Sequence, residues 1–384
     1  MIISYTPEGN KLREEWKKIP IAEPLLGEKE LEYVTNAVRS GWISSQGEYV
    51  TEFEEKFSKY CGVKYGVATS SGTTALHLAL AALGIGKRDE VVIPTLTMIA
   101  TANAVIYTGA KPVLVDSELD TWNLDIEKIE EKITSKTKAI IAVHLYGHPV
   151  DMDPLLDIAE DHDLYVIEDA AESHGAEYKG RKTGGLGDIG CFSFYANKII
   201  TTGEGGMVIT DNEEIAERAR ILRAHAFSEE MHFWHRYIGF NYRMSNLQAA
   251  VGVAQLEKID EFVEIRRRNA KTYNSLLKNV KGVELPPEAK WAKNVYWMYS
   301  ILIENDFGMS RGMLMEELKK DGIETRTFFY PIHVQPIYTK YYVNEKYPVA
   351  DELSRKGINL PSGATLSRGD IEYVIESIKR AQER

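Results

Sequence analysis

The sequence predicts an α/β chain: a large, mostly parallel sheet covered on both faces by helices, then a smaller α+β unit. Three observations predict it. From residue 65 to residue 211, short β-branched runs alternate with helix-like stretches, the pattern of βαβ units. Those runs are nearly continuous in apolar residues, as suits strands with no wet side. Beyond residue 255 the texture changes to a long charged helical pattern and then to short strands interrupted by prolines.

Taken in order, residues 1–24 are mixed and polar, end in Pro20 and Pro24, and read as an arm. Residues 25–255 read as the large unit. It opens with a helical pattern from Leu25 to Tyr60, with apolar positions at Leu31, Val34 and Val38. Strands are expected at 65–70, 90–94, 111–116, 138–147, 164–169, 191–196 and 205–211. Helices are expected at 73–83 and 152–162. Residues 256–384 read as the small unit, where LQAAVGVAQLEKIDEFVEIRRRNAKTYNSLL (247–277) forms one long pattern across the boundary. A strand at 297–303 and a helix near 311–321 follow.

Composition narrows the function. The 384 residues are 44% hydrophobic and 27% charged, which excludes a disordered, collagen-like or coiled-coil chain. A net charge of −11 repels polyphosphate at long range, so no nucleic-acid partner is expected. A small phosphorylated ligand is still open, because local N–H groups override an average field. Two cysteines, Cys61 and Cys191, make neither a disulfide framework nor a zinc pair, and suit a reducing compartment. No apolar run approaches the roughly 18 residues of a membrane span. The expectation is a soluble cytoplasmic protein with no membrane partner and no metal.

Some motifs fail. Gly185, Gly187 and Gly190 fit G-x-G-x-x-G, but they follow a polar loop and lead into a strand. A dinucleotide fingerprint needs the reverse order. His232 and His235 flank Phe233 and Trp234 without a completing carboxylate pattern, so no metal site is read there.

Three motifs survive. Ser71, Gly72 and Thr73 join a strand to a helix whose first N–H groups lack partners, which describes a phosphate cup or simply a helix cap. Asp169 ends an apolar strand, with Glu172 just beyond. A buried acid there needs a cation, either an arginine or a protonated ring nitrogen. Lys198 lies between a strand and a glycine-rich turn, in FSFYANKIITTGEGGM. A cup, an acid and a lysine, in that order, are the three attachments that pyridoxal 5′-phosphate requires.

These residues resemble the DegT/DnrJ/EryC1/StrS sugar aminotransferases. The likeness runs from Ile21 to the C-terminus and includes TSSGTTALHLAL, EDAAESHGAEYKG, GLGDIGCFSFYANKIITTGEGGM and GFNYRMSNLQAAVGVAQLE. It implies the fold-type-I, aspartate-aminotransferase-like architecture. It implies that Lys198 carries pyridoxal 5′-phosphate and that Asp169 partners the pyridine nitrogen. Ser71, Gly72, Thr73 and Ser193 would meet the phosphate. Met98 stands where many relatives have an aromatic that stacks on the ring, and Glu172 falls near the phenolic oxygen. Asn241 matches an asparagine that reaches the neighbouring subunit's cofactor, implying a homodimer with shared sites. A related dehydratase branch replaces the lysine by histidine, so Lys198 favours transamination.

Within the family, IITTGEGGM and HRYIGFNYRMSNLQAA look most like the branch that moves an amino group from L-glutamate to C4 of GDP-4-keto-6-deoxymannose. Another 4-keto or 3-keto nucleotide sugar or a keto-inositol is the alternative acceptor. A cofactor-binding regulatory protein is the alternative class. Polar and aromatic residues in segments flanking the expected cleft are His225, Trp234, His235, Arg236, Arg243, Phe329 and His333. Arginine suits a diphosphate, while each could equally serve an interdomain or dimer contact.

Overall fold

The computed structural model describes residues 18–227, 231 and 233–384. His232 and most of the arm therefore lie outside the described residues. The strands are β1 (Tyr65–Thr69), β2 (Glu90–Pro94), β3 (Lys111–Val115), β4 (Thr137–Val143), β5 (Tyr165–Asp169), β6 (Glu177–Tyr178) and β7 (Arg181–Lys182). They continue with β8 (Ile189–Ser193), β9 (Gly206–Thr210), β10 (Val283–Glu284), β11 (Ala292–Lys293), β12 (Tyr299–Ile303), β13 (Arg326–Thr327) and β14 (Gly357–Leu360). The α-helices are α1 (Glu28–Ser40), α2 (Glu48–Cys61), α3 (Gly72–Ala82), α4 (Ile99–Tyr107), α5 (Met152–Asp161) and α6 (Glu213–Arg223). After them come α7 (Asn246–Leu256), α8 (Ile259–Leu277), α9 (Arg311–Lys320), α10 (Pro348–Lys356) and α11 (Arg368–Gln382).

The large sheet has the order β1-β9-β8-β5-β4-β2-β3. Only β9 runs against its neighbours; the remaining pairings are parallel. Alternate side chains of each strand enter different cores. Val91, Ile93, Ile141 and Ile167 pack on one face, while Val92, Ile140, Ala142 and Val166 pack on the other. Both faces are dry, which is why the strands read as continuous apolar runs. A second, antiparallel sheet, β10-β12-β14-β13, shares a core with α8, α9 and α11, and β11-β6-β7 form a third, small sheet.

Two helical patterns are each divided. The stretch from Leu25 to Tyr60 forms α1 and α2, because Gly41 adopts left-handed φ 78° and ends the first helix. The pattern at 247–277 forms α7 and α8, interrupted at Glu257 and Lys258. In α1 the core side is Glu30 and Ala37, and Leu31 and Val38 point outward, Leu31 at 65% exposure. Glu30 is held inward by Gln255 and Lys258.

The strand from residue 191 to 196 is shorter than expected, ending at Ser193, because Phe194 turns to accept from Thr202 and donate to Gly205. The segment from Ile332 to Ala350 is laced to the large sheet. The amide of Ile332 donates to the Thr95 carbonyl at 2.7 Å, Tyr338 donates to Asn103, Tyr342 donates to the Pro112 carbonyl, and the Ala350 amide donates to Asp116.

Candidate active site

The carboxyl ends of β1, β2, β4, β5 and β8 share one edge of the sheet, the edge where open α/β sheets bind ligands. A cavity of about 360 Å³ opens there. Ser71, Gly72, Thr73, Met98, Asp169, Glu172, Ser193, Lys198 and Phe329 all line it. The chain thus brings together residues spread from position 71 to position 329.

At one end is the mouth of α3. Ser71 caps it: its Oγ accepts from the Thr74 amide at 3.2 Å, and Thr74 Oγ1 accepts from the Ser71 amide at 3.0 Å. The amides of Gly72 and Thr73 precede any intrahelical partner and border the cavity, where the helix dipole is positive. Gly72 is obligatory for packing, because a Cβ there would lie 2.6 Å from Ser193 Cβ. Helix and β8 therefore meet backbone to side chain, setting Ser193 beside the helix mouth.

At the other end Asp169 terminates β5. Its Oδ2 accepts from Thr101 Oγ1 at 2.8 Å and its Oδ1 from the Ala171 amide at 3.3 Å. Both donors are neutral. Burial pushes the Asp169 carboxyl above its ordinary range, while these bonds and the charge of Lys198 oppose the rise. Glu172 is pushed up to about 7 by burial, against the pull of Lys198 and of a 2.7 Å bond from the Tyr146 amide.

Lys198 sits in the turn between β8 and β9, its amide donating to the Tyr195 carbonyl at 2.9 Å. Burial lowers its amine, with Glu172 and Asp169 restraining the drop. The Nζ stands 3.7 Å from the ring centroid of Trp297. Trp297, Tyr146 and Phe329 form an aromatic wall, with Tyr146 stacked on Phe329 at 5.3 Å.

Met98 also borders the cavity, 46% exposed, with its sulfur accepting from the Ala100 amide. A thioether there is soft, polarizable surface for a ring face.

Next to Asp169 on β5, Glu168 is fully buried. Its Oε1 accepts from the amides of Leu186 and Gly187, and its Oε2 from the Gly184 amide and His144. The glycine-rich loop that mimicked a dinucleotide fingerprint is therefore a cradle for this carboxylate.

Other expected residues lie outside the cavity. Asn241 is exposed and accepts from Arg243, which pairs across a bridge with Thr69. His225, Trp234, His235 and Arg236 belong to a separate surface segment, with His235 bonded to the His225 carbonyl and Ile238 nearby 91% exposed. His333 bonds Thr95 at 2.8 Å and Asp351 at 3.1 Å, so it serves the lacing to the large sheet.

Sequence reading gave no role to Thr97, Tyr195, Asn197, Glu204, Trp297 and Arg326, all of which border the cavity, or to Thr101, which holds Asp169. Tyr195, Asn197 and Glu204 stood inside the lysine motif, and Thr97 and Thr101 beside Met98, so proximity was a usable signal. Trp297 and Arg326 gave none, since they arrive from the segment before β12 and from β13, far along the chain.

The residues present fit pyridoxal 5′-phosphate. An open helix mouth, a buried acid whose hydrogen-bond donors are neutral and a buried lysine of lowered basicity all border the one cavity. Among the described residues no histidine, cysteine and carboxylate cluster could hold a metal.

Comparison with known proteins agrees. The chain is 47% identical over 363 residues to a GDP-perosamine synthase of Escherichia coli O157:H7, covering 94% of this chain and 98% of that one. It is 46% identical to a GDP-perosamine synthase of Caulobacter vibrioides, covering 94% and 97%. The crystal structure of Streptomyces venezuelae DesV superposes with a TM-score of 0.87 at 36% identity, covering 92% of this chain and 94% of DesV. The fold is the fold-type-I architecture of pyridoxal-phosphate aminotransferases, and the cofactor is pyridoxal 5′-phosphate. Its family's pattern extends from residue 24 to residue 379, and with a cavity built in this way the chain belongs to the DegT/DnrJ/EryC1/StrS aminotransferase family.

Proposed function

We propose that this protein moves an amino group from L-glutamate to C4 of GDP-4-keto-6-deoxymannose, forming GDP-perosamine. One observation carries the reading: a lysine, a buried acid and an open helix mouth converge on one cavity in a chain 47% identical, nearly end to end, to a GDP-perosamine synthase. When bound, pyridoxal 5′-phosphate supplies an electrophilic carbon and a ring that accepts an electron pair.

This chain's own groups do the rest. Lys198 would hold the cofactor through its amine, and burial makes that amine give up its proton more readily than a solvated lysine does, which suits it to move protons as a base. Asp169 would be the residue that keeps a proton on the ring nitrogen. Ser71, Gly72, Thr73 and Ser193 bind the phosphate, Met98 packs against the ring, and Glu172 offers its carboxyl to the phenolic oxygen. Residues 25–255 act as the cofactor-holding unit, and residues 256–384 close its far wall.

A homodimer with shared sites is part of this proposal. Asn241 is exposed and outside its own cavity, as suits a residue that completes a second copy's site. Leu25, Leu26, Leu31, Val38, Trp42 and Ile43 are all exposed, an apolar run that a second copy would cover. Trp234, His235, Arg236, Arg243 and Phe329 are assigned to the nucleotide sugar, with arginine as the diphosphate ligand. The buried thiols Cys61 and Cys191 suit a reducing cytoplasm.

A panel of 4-keto and 3-keto nucleotide sugars, assayed with glutamate and resolved by mass and NMR, tests the reading. GDP-perosamine and an equal amount of 2-oxoglutarate are expected. Preferred turnover of a UDP- or dTDP-linked sugar would change the acceptor. A cofactor spectrum that glutamate leaves unchanged would make the chain a binding protein instead.

A further inference from the structure

We propose that Trp297 is a positioning residue for the Lys198 amine: its indole face carries the ammonium form and aims the amine into the cavity. The inference rests on reading Lys198 as the residue that attaches the cofactor, and it gives a role to a cavity residue that precedes β12.

The geometry is specific. The Nζ of Lys198 lies 3.7 Å from the Trp297 ring centroid, well inside the roughly 6 Å at which a cation is attracted by a ring face. Trp297 is fixed at two points, one on its ring and one on its backbone. Its Nε1–H donates to the Asn197 carbonyl at 2.9 Å, which ties the indole to the residue preceding Lys198. Its own carbonyl accepts from Arg266 Nη1 at 2.9 Å and from Ser362 Oγ at 3.0 Å. Arg266 is itself buried and also grips the Ser362 carbonyl.

The other charged and titratable groups around the amine are accounted for. Asp169 and Glu172 face it from the end of β5 and the loop beyond, and favour the ammonium form. Arg326, from β13, opposes it. His174, buried behind, feels the Lys198 charge and stays neutral. Tyr195 and Glu204 stand on the same cavity wall. Burial works against the ammonium form as the largest influence, and the indole face works with the two acids to limit it.

Two roles for Trp297 predict opposite signs. If it merely packs, a smaller side chain admits water and makes the ammonium easier to form. If its face carries the cation, a side chain without a ring makes it harder. The measurement is the rate at which apoprotein gains visible absorbance on adding pyridoxal 5′-phosphate, followed against pH. That rate rises as the Lys198 amine loses its proton.

In Trp297→Leu the rise should move about one pH unit lower, the equivalent of a desolvated cation–π contact. Trp297→Phe, which keeps a weaker face, should fall between. An unmoved or upward-shifted profile overturns the proposal. Should Trp297→Leu fail to fold, the apoprotein supplies the second readout. Its tryptophan fluorescence should step as Lys198 titrates and lose that step in Lys198→Ala; a step that persists in Lys198→Ala overturns the proposal. Parent protein that never gains absorbance would instead overturn the cofactor reading itself.

Discussion

His144 donates Nε2–H to Glu168 across 2.9 Å, and neither side chain reaches solvent. The tautomer follows from the other nitrogen: Nδ1 accepts from the Val150 amide at 3.0 Å, so the proton resides on Nε2. Four N–H groups thus converge on one carboxylate directly before Asp169 in the chain. Glu168→Gln would present an amide NH₂ to donors that need an acceptor. We expect a loss of roughly 1–3 kcal/mol in denaturant unfolding of the apoprotein. An unchanged midpoint would mean that the loop has other support.

Lys198→Ala should fold as the parent does, fail to develop the visible absorbance of attached cofactor, and lose turnover by roughly 10²–10⁴-fold or more. Added primary amines should restore part of the activity. Full turnover in this variant would remove Lys198 from the reaction.

Asp169→Asn keeps shape and the Thr101 contact but removes the charge. Turnover should fall about a hundredfold or more, with cofactor still bound through Lys198. Thr101→Val, which removes only a neutral donor from Asp169, should have a smaller effect in the same direction. Steady-state rates paired with absorbance spectra distinguish the two.

Glu172 makes the apoprotein's stability depend on pH. Its folded-state value, about 7, lies above the ordinary 4.5, because burial disfavours the charge. Between those values the unfolded chain has released the proton and the folded chain retains it, so this group's contribution falls as pH rises through the window. Glu172→Gln keeps an acceptor for the Tyr146 amide and removes the titration. Parent minus variant, measured by denaturation in steps from pH 4.5 to pH 8, should decline and then level off. A flat difference would show that Glu172 is not held protonated.

Gly72→Ala introduces a methyl 2.6 Å from Ser193 Cβ. Helix mouth and β8 must separate to admit it, at a cost of about 1–3 kcal/mol. Cofactor affinity should weaken as well, since the same movement opens the cup. Equilibrium dialysis of the cofactor and thermal unfolding read the two effects; unchanged values in both would place Gly72 in slack packing.

What the sequence made legible follows from how each feature is encoded. Strands β2 and β5 could be read almost to the residue, because burial on both faces leaves an uninterrupted apolar run. Lys198, Asp169 and Ser71 could be read because each stands where a strand delivers the chain to the ligand edge, and that junction has local chemistry. Trp297 and Arg326 could not, since their part in the cavity exists only after the second sheet packs against the first. Leu31 and Val38 misled for a related reason. An apolar stripe marks a face that avoids water, and says nothing about whether its own chain covers it.

The lacing from Ile332 to Ala350 bears on how the cavity is served. A joint riveted at Thr95, Asn103, Pro112 and Asp116 has little freedom to swing. Arg326 and Phe329, which border the cavity, directly precede this fastened stretch, so their wall is tied to the same sheet that carries Asp169.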